Sequence, residues 1–185
     1  MERTASNARA KRQSQRLTCA AVCLALCLAL PFLTGQIPQI GQALSPMHIP
    51  VFLCGFLCGA PDAALIGFVA PLLRNALFAM PAMPGAIAMA FELATYGFVT
   101  GFLYKKLPKK TPFLYAALLS AMVAGRLVWG AARFVLAGLN GSSFPFSAFL
   151  AGAVTNAVPG IILHIVLVPA VAAALHRAGF LAYGD

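Results

Sequence analysis

The chain has 185 residues, of which 61% are apolar and 9% charged, and its mean hydropathy is +0.88. Soluble proteins carry about 25% Asp, Glu, Lys and Arg, so this composition excludes a water-soluble domain and predicts an all-α integral membrane protein. The length allows about six spanning helices of about 20 residues each. Because the sequence contains no Gly-rich phosphate-binding loop, any ATP-driven step requires a partner chain.

The net charge of +9 arises mainly from two basic clusters, one before the first apolar segment and one between two later segments. Their members are Arg3, Arg9, Lys11, Arg12 and Arg16, and then Lys105, Lys106, Lys109 and Lys110. The positive-inside rule predicts that both clusters lie on the cytoplasmic side. We therefore expect contact with membrane lipid and no nucleic-acid partner.

Residues 1–16 form a predicted cytoplasmic basic tail, and an apolar segment over 17–33 predicts the first helix. The polar segment 34–48 is rich in Gly, Pro and Gln and predicts a structured loop rather than a helix. A short second helix is expected over 47–59. Asp62 is a suitable N-cap for a third helix over 62–79, which Pro71 should bend.

The fourth, fifth and sixth helices are predicted over 86–104, 113–138 and 147–175. An even number of spans from a cytoplasmic N-terminus returns the lysine cluster and the C-terminus to the cytoplasm, in agreement with the charge pattern. The sequence therefore predicts a six-helix transmembrane bundle over 17–176, a cytoplasmic tail over 177–185, and both termini in the cytoplasm.

All five cysteines lie in apolar segments and are spaced by four within each segment, as Cys19, Cys23 and Cys27 and as Cys54 and Cys58. This pattern fits neither a disulfide framework nor a zinc site. We expect packing thiols, with no metal and no cofactor.

Charged side chains within the spans are the strongest indication of function, because each costs about 2.5–3.5 kcal/mol near the bilayer centre. Counted from the outer helix ends at about 1.5 Å per residue, Arg74, Glu92 and Arg133 share a layer about 8–9 Å deep, and Arg126 lies near the midplane. Asn75 and Asn156 are neutral companions in the same half.

Several of these residues share helix faces, as expected for a ligand pocket with aromatic walls and few polar groups. Glu92 lies one turn from Tyr96 on the fourth helix. Candidate binding residues are His48, Arg74, Asn75, Glu92, Tyr96, Arg126, Trp129, Arg133 and Asn156. An interfacial packing role for His48 remains an alternative, and His164 is expected to be a packing residue.

Three arginines against one glutamate leave an excess of two positive charges at membrane depth. Pairing of Glu92 with one arginine is already included in this excess, and extension of Arg133 to the headgroups would remove one of the two charges. The remaining charge predicts a ligand with a carboxylate or phosphate.

On the first helix, Ala21, Ala25 and Ala29 repeat every four residues on the side opposite the cysteines. Such spacing lets another helix approach closely, either within the bundle or from a partner.

These residues resemble the substrate-binding S components of energy-coupling factor (ECF) vitamin transporters, over about residues 17–175. The likeness includes the alanine repeat and two further patterns, which resemble the pantothenate and folate branch. They are His48-Ile-Pro-Val with Gly55, Gly59, Pro61, Gly67, Pro71 and Arg74, and Met89-Ala-Phe-Glu92-Leu-Ala-Thr-Tyr96-Gly97 with Gly101.

The resemblance implies a multi-pass protein of the bacterial cell membrane that captures a water-soluble vitamin from outside and is not an enzyme. It assigns Ala21, Ala25 and Ala29 to contact with a transmembrane coupling subunit, which works with two cytoplasmic ATPases. An anionic vitamin is expected, with pantothenate ahead of folate, a pyridoxine-type compound or a queuosine precursor. The alternatives of another class are a small intramembrane enzyme and a membrane scaffold protein.

Overall fold

The computed structural model describes residues 2–35, 37–108 and 110–179, and over these residues the chain is helical without a β-strand. The helices are α1 (Glu2–Ala29), α2 (Pro38–Leu44), α3 (His48–Cys58), α4 (Ala60–Phe78), α5 (Gly85–Lys106), α6 (Thr111–Leu139), α7 (Phe146–Ala153) and α8 (Val158–Arg177). Two 3₁₀ turns, Leu30–Thr34 and Thr155–Ala157, follow α1 and precede α8.

Five of the described segments are long and apolar enough to cross a membrane. They are Gln13–Thr34, Ala60–Phe78, Gly85–Lys106, Thr111–Leu139 and Phe146–Arg177. The remaining apolar helix, α3, has 11 residues and is about 16 Å long, roughly half the hydrocarbon thickness. All but one of its residues are buried, so α3 forms the centre of the bundle.

In chain order, the helices α1, α3, α4, α5, α6 and α8 alternate in direction, which gives the bundle two distinct ends. At the lysine end, defined by Arg16, the start of α4 and residues 107, 108 and 110, Arg16 pairs with Asp62 at 2.8 Å. At the α2 end, defined by α2, residues 79–84 and residues 140–145, the rings of Phe32 and Phe78 lie 5.0 Å apart. The basic residues described at Arg16, Lys105, Lys106, Lys110 and Arg177 all lie toward the lysine end.

The tightest helix pair is α4 and α5, whose backbones touch through glycines. A Cβ atom at Gly67 would collide with the carbonyl of Leu93, and one at Gly97 would lie 2.5 Å from the carbonyl oxygen of Ala63. Neither backbone can move away without separating the helices. Small residues therefore set the spacing of this pair, as is common between membrane helices.

The predicted sixth helix is wrong as a single element, because the chain breaks at Val154 between α7 and α8. Pro159 lacks the N–H that would bond to the carbonyl of Thr155 in a continuous helix. It lies instead in the first turn of α8, where no such bond is required.

The expected N-terminal tail and first loop also contain helix that the sequence analysis did not predict. Residues 2–16 belong to α1, since Arg, Lys and Gln are good helix formers. The loop contains α2, whose first position is Pro38, and Gly160 of α8 packs directly against the carbonyl of Ala43. Most of the predicted tail 177–185, and Lys109, lie outside the described residues.

The prediction for the start of the third helix is also corrected. The helix observed there, α4, begins at Ala60, its N-cap residue is Gly59, and no side chain caps it. Asp62 lies in the first turn, where it forms the ion pair with Arg16. The helix continues through Pro71 to Phe78.

The cysteines pack between α1 and α3. Cys23, Cys27, Cys54 and Cys58 are buried, Cys19 is partly buried, and all five are free thiols.

Candidate functional site

A cavity of about 490 Å³ lies at the α2 end of the bundle, above the N-terminus of α3. This volume falls within the range of about 300–1,000 Å³ typical of small-molecule sites. Its charged and polar lining residues are Thr34, Ser45, His48, Arg74, Glu92, Arg126, Arg133 and Asn156. Trp129, four methionines and four prolines supply most of the remaining wall.

Glu92 is the centre of the polar network at the cavity floor. Its side chain is 2% exposed, and its Oε1 atom accepts a 2.7 Å hydrogen bond from the Tyr96 hydroxyl. The same oxygen lies 3.0 Å from Nη1 of Arg126 and 3.6 Å from Nε2 of His48. Glu92 therefore pairs with Arg126, which joins α5 to α6.

The expected common depth of Arg74, Glu92 and Arg133 is wrong for Glu92 and Arg133. Counting residues from the helix ends assumes that all helices end at one level, but α6 has 29 residues and α5 has 22. Glu92 contacts Arg126, so these two residues lie at about the same level. Arg133 is two helical turns further along α6 and therefore lies about 10 Å nearer the α2 end than this pair.

Arg74 lines the cavity with a guanidinium that is already engaged. Its Nη1 atom donates a 2.6 Å hydrogen bond to the carbonyl of Leu28, at the end of α1. Its Cζ atom lies 4.9 Å from the ring centre of Phe32 and 5.2 Å from that of Phe78. This residue therefore fastens the end of α1 and the turn after it to α4.

Arg133 has a different environment, among aromatic side chains of α6 and the following loop. Its Cζ atom lies 5.4 Å from the ring centre of Phe144. Its Nε atom is buried and has no hydrogen-bond partner among the described residues. Nearby, Trp129 packs against Gly152 of α7, where a Cβ atom would lie 2.5 Å from the indole.

Seven of the nine candidate residues line the cavity, and Asn75 and Tyr96 do not. Asn75 faces the loop after α4, where its Nδ2 atom donates a 2.8 Å hydrogen bond to the carbonyl of Pro81. Tyr96 lies beneath the floor against Gly125, which leaves space for its ring. Both residues support the cavity from behind, one through the loop and the other through Glu92.

His48 is buried, 2% exposed, at the first position of α3. Its ring stacks on that of His164 at 5.6 Å, and Nε2 of His164 lies 3.3 Å from the carbonyl oxygen of Ser45. The Nδ1 atom of His48 has no hydrogen-bond partner in the described structure. His164 therefore supports the floor as a packing residue for His48.

The sequence did not indicate that the loop between α4 and α5 forms part of the cavity wall. Met80, Met83 and the residues around them line the cavity, although none is charged. The peptide bonds before Pro81 and Pro84 are cis. The available signal was the repeated Met-Pro pair at 80–81 and 83–84, just after the end of α4. This repeat has no periodicity that would identify these residues as part of a cavity wall.

The alanine repeat of α1 lies on an open surface of the described structure. Ala21, Ala25 and Ala29 are exposed, whereas Cys23 and Cys27 on the opposite side are buried. Within the part of the chain that the structure describes, this face is not covered by another helix.

Comparison with protein-family models matches residues 15–172 to the substrate-specific component of ECF transporters. Comparisons with curated proteins and with solved structures found no significant match. The family model covers most of the chain and all of the helices that form the cavity. The chain therefore belongs to the substrate-specific components of ECF transporters, which are multi-pass membrane subunits of transporters and not enzymes.

Proposed function

We propose that this subunit captures a small, anionic, water-soluble vitamin, with pantothenate as the first candidate, in the cavity at the α2 end. The observation that carries the proposal is the charge of the lining. Three arginines and one glutamate are present among the described lining residues, and the glutamate is paired with Arg126. Two guanidinium groups thus remain without a carboxylate, and a ligand acid group complements them.

The shape and composition of the cavity support a ligand of this kind. Methionine, proline and tryptophan side chains provide apolar contact, and eight charged or polar residues line the same cavity. Such a lining suits a compact molecule that carries both apolar and polar groups. Pantothenate has two methyl groups beside its hydroxyls at one end, an amide in the middle and a carboxylate at the other end.

For the membrane arrangement we propose six passes, with α3 as the short one, and both termini on the cytoplasmic side of a bacterial cell membrane. The basic residues at the lysine end support this orientation, since the positive-inside rule favours them in the cytoplasm. The cavity at the opposite end then opens to the exterior, where a vitamin is available.

The proposed partners are a transmembrane coupling subunit and two cytoplasmic ATPases. Their place is supported by family membership and by the exposed Ala21, Ala25 and Ala29 face of α1, which a partner helix can approach closely.

The test is binding of pantothenate and of panthenol, its alcohol analogue, to the purified protein by isothermal titration calorimetry. Panthenol differs only by replacement of the carboxylate with a hydroxymethyl group. We expect a pantothenate Kd between about nanomolar and micromolar and a Kd for panthenol about ten- to a hundredfold weaker, as lost charge-assisted hydrogen bonds predict.

Folate, a pyridoxine-type compound and a queuosine precursor are titrated in parallel as the remaining candidates. Tight binding of a neutral or cationic vitamin, with no heat from pantothenate, would contradict the charge argument. Binding of folate alone would keep the acid requirement and replace the proposed vitamin.

A further inference from the structure

We infer that the cavity holds its ligand in a single orientation, with the acid group at Arg133 and a hydroxyl-bearing end at the floor against His48 and Glu92. This inference rests on the proposed function, because it assumes an anionic ligand in this cavity. It assigns different roles to the three arginines, which the total charge of the cavity does not distinguish.

Two of the three arginines that line the cavity already have partners within the protein. Arg126 is bound to the carboxylate of Glu92 at 3.0 Å. Arg74 donates to the carbonyl of Leu28 and lies against two phenylalanine rings. Among the described residues, the guanidinium of Arg133 meets neither a carboxylate nor a backbone carbonyl, and its Nε atom is buried without a partner. Arg133 is therefore the cation with the most to gain from a ligand acid.

The second step concerns the floor, where unsatisfied groups suit a hydroxyl. The three contacts of Glu92 converge on Oε1, from Tyr96, Arg126 and His48. A ligand donor can approach the other carboxylate oxygen. His48 also lines the cavity, and both of its ring nitrogens are buried without a hydrogen-bond partner among the described residues. A hydroxyl both donates and accepts hydrogen bonds, so it can serve the carboxylate and the imidazole together.

The third step is the distance between the two polar regions. Arg126 and Arg133 are seven residues apart on α6, a rise of about 10 Å. Trp129 lies between them on the same face and lines the cavity. The site is thus matched to a hydroxy acid whose hydroxyl end and acid end are on the order of 10 Å apart.

The experiment measures pantothenate and panthenol affinities for the wild type and for Arg133→Gln, Arg74→Gln and Arg177→Gln, with the melting temperature of each unliganded protein as a folding check. Arg177, at the lysine end, is the matched control outside the cavity. We expect Arg133→Gln to weaken pantothenate about ten- to a hundredfold and panthenol less than about twofold, so that discrimination disappears. Arg177→Gln should change neither affinity.

A second ligand tests the other end. The analogue N-(3,3-dimethylbutanoyl)-β-alanine retains the amide and the acid of pantothenate but lacks both hydroxyls. His48→Phe, which leaves the Glu92–Arg126 pair in place, should weaken pantothenate and panthenol by equal factors, because both carry the hydroxyls, and should weaken the dideoxy analogue by a smaller factor.

Several outcomes would overturn the orientation while leaving the proposed function intact. One is wild-type discrimination that persists in Arg133→Gln and disappears in Arg74→Gln. Another is equal loss of both ligands in Arg133→Gln, which would indicate a structural role for this residue. By contrast, a wild-type protein that binds panthenol as well as pantothenate would overturn the proposed anion requirement and the orientation with it.

Discussion

The α4–α5 pair and the α6–α7 pair border the same cavity but are built in opposite ways. Between α4 and α5, glycines bring backbone against backbone. Between α6 and α7, glycines face aromatic rings instead: Gly130 meets Phe149 and Gly152 meets Trp129. A backbone contact fixes the distance between two helices, whereas a ring can rotate or shift.

We call the α4–α5 side the frame, because backbone contacts fix its spacing, and the α6–α7 side the adjustable wall, because its aromatic rings can move. The α4–α5 side contributes Glu92, which is fixed by three neighbours on one oxygen. The α6–α7 side contributes Trp129 and Arg133, whose surroundings are mostly aromatic. We expect mutations in the frame to affect folding and mutations in the wall to affect ligand affinity.

The largest expected effect comes from breaking the ion pair that joins the two sides. Arg126→Gln leaves the carboxylate of Glu92, 2% exposed, without its cation, and should lower the free energy of unfolding by about 3 kcal/mol. Denaturant unfolding of the purified protein in detergent measures this loss. The double variant Glu92→Gln, Arg126→Gln should recover at least about 1 kcal/mol of it. Additive losses in the double variant would show that the pair contributes no coupling between the two sides.

An intermediate effect is expected from Gly67→Ala, which opens the frame. The new Cβ atom would meet the backbone of Leu93, so the helices must separate at a cost of about 2 kcal/mol. The matched control is Gly138→Ala on α6, where no atom lies within 4 Å of the added Cβ. Equal melting temperatures for the two variants would contradict the idea that backbone contact defines the frame.

The smallest effect on stability is expected from Gly152→Ala, on the adjustable side. The added methyl group displaces the tip of the Trp129 indole, which can shift, so the stability loss should stay below about 1 kcal/mol. Because Trp129 lines the cavity, ligand affinity should nevertheless fall about three- to tenfold in a titration, or about 0.7–1.4 kcal/mol. A larger loss of stability than in Gly67→Ala would reverse the assignment of frame and wall.

The sequence was sufficient for the apolar segments, since composition and length determine which helices can cross a membrane. It also identified six of the eight charged and polar residues that line the cavity, because charged side chains are costly in lipid and converge on a protein interior. Arg74 and Arg133 illustrate the limit. Both were predicted at the same depth with the same role, yet one is held by a carbonyl and two rings and the other has no such anchor.

The remaining differences have physical causes that periodicity does not contain. The level at which each helix ends in the bundle depends on helix packing. Packing therefore determines that Glu92 lies beside Arg126 rather than at the level of Arg133. The break at Val154 is followed by Thr155 and Asn156, but the mean hydropathy of the whole segment Phe146–Arg177 is high enough for one span and gives no sign of the break. Asn75 is polar and close to the cavity, but its amide satisfies the backbone carbonyl of Pro81 in a loop whose path the sequence does not specify.

The brevity of α3 has a consequence for how the site can change. With 11 residues, α3 fills only about half of the length of the bundle along its axis. The cavity occupies the remaining space between the N-terminus of α3 and α2. Added or removed residues at the junction between α2 and α3 would enlarge or shrink this space without altering the glycine contacts of α4 and α5. One connection therefore sets the volume of the cavity independently of the long helices around it.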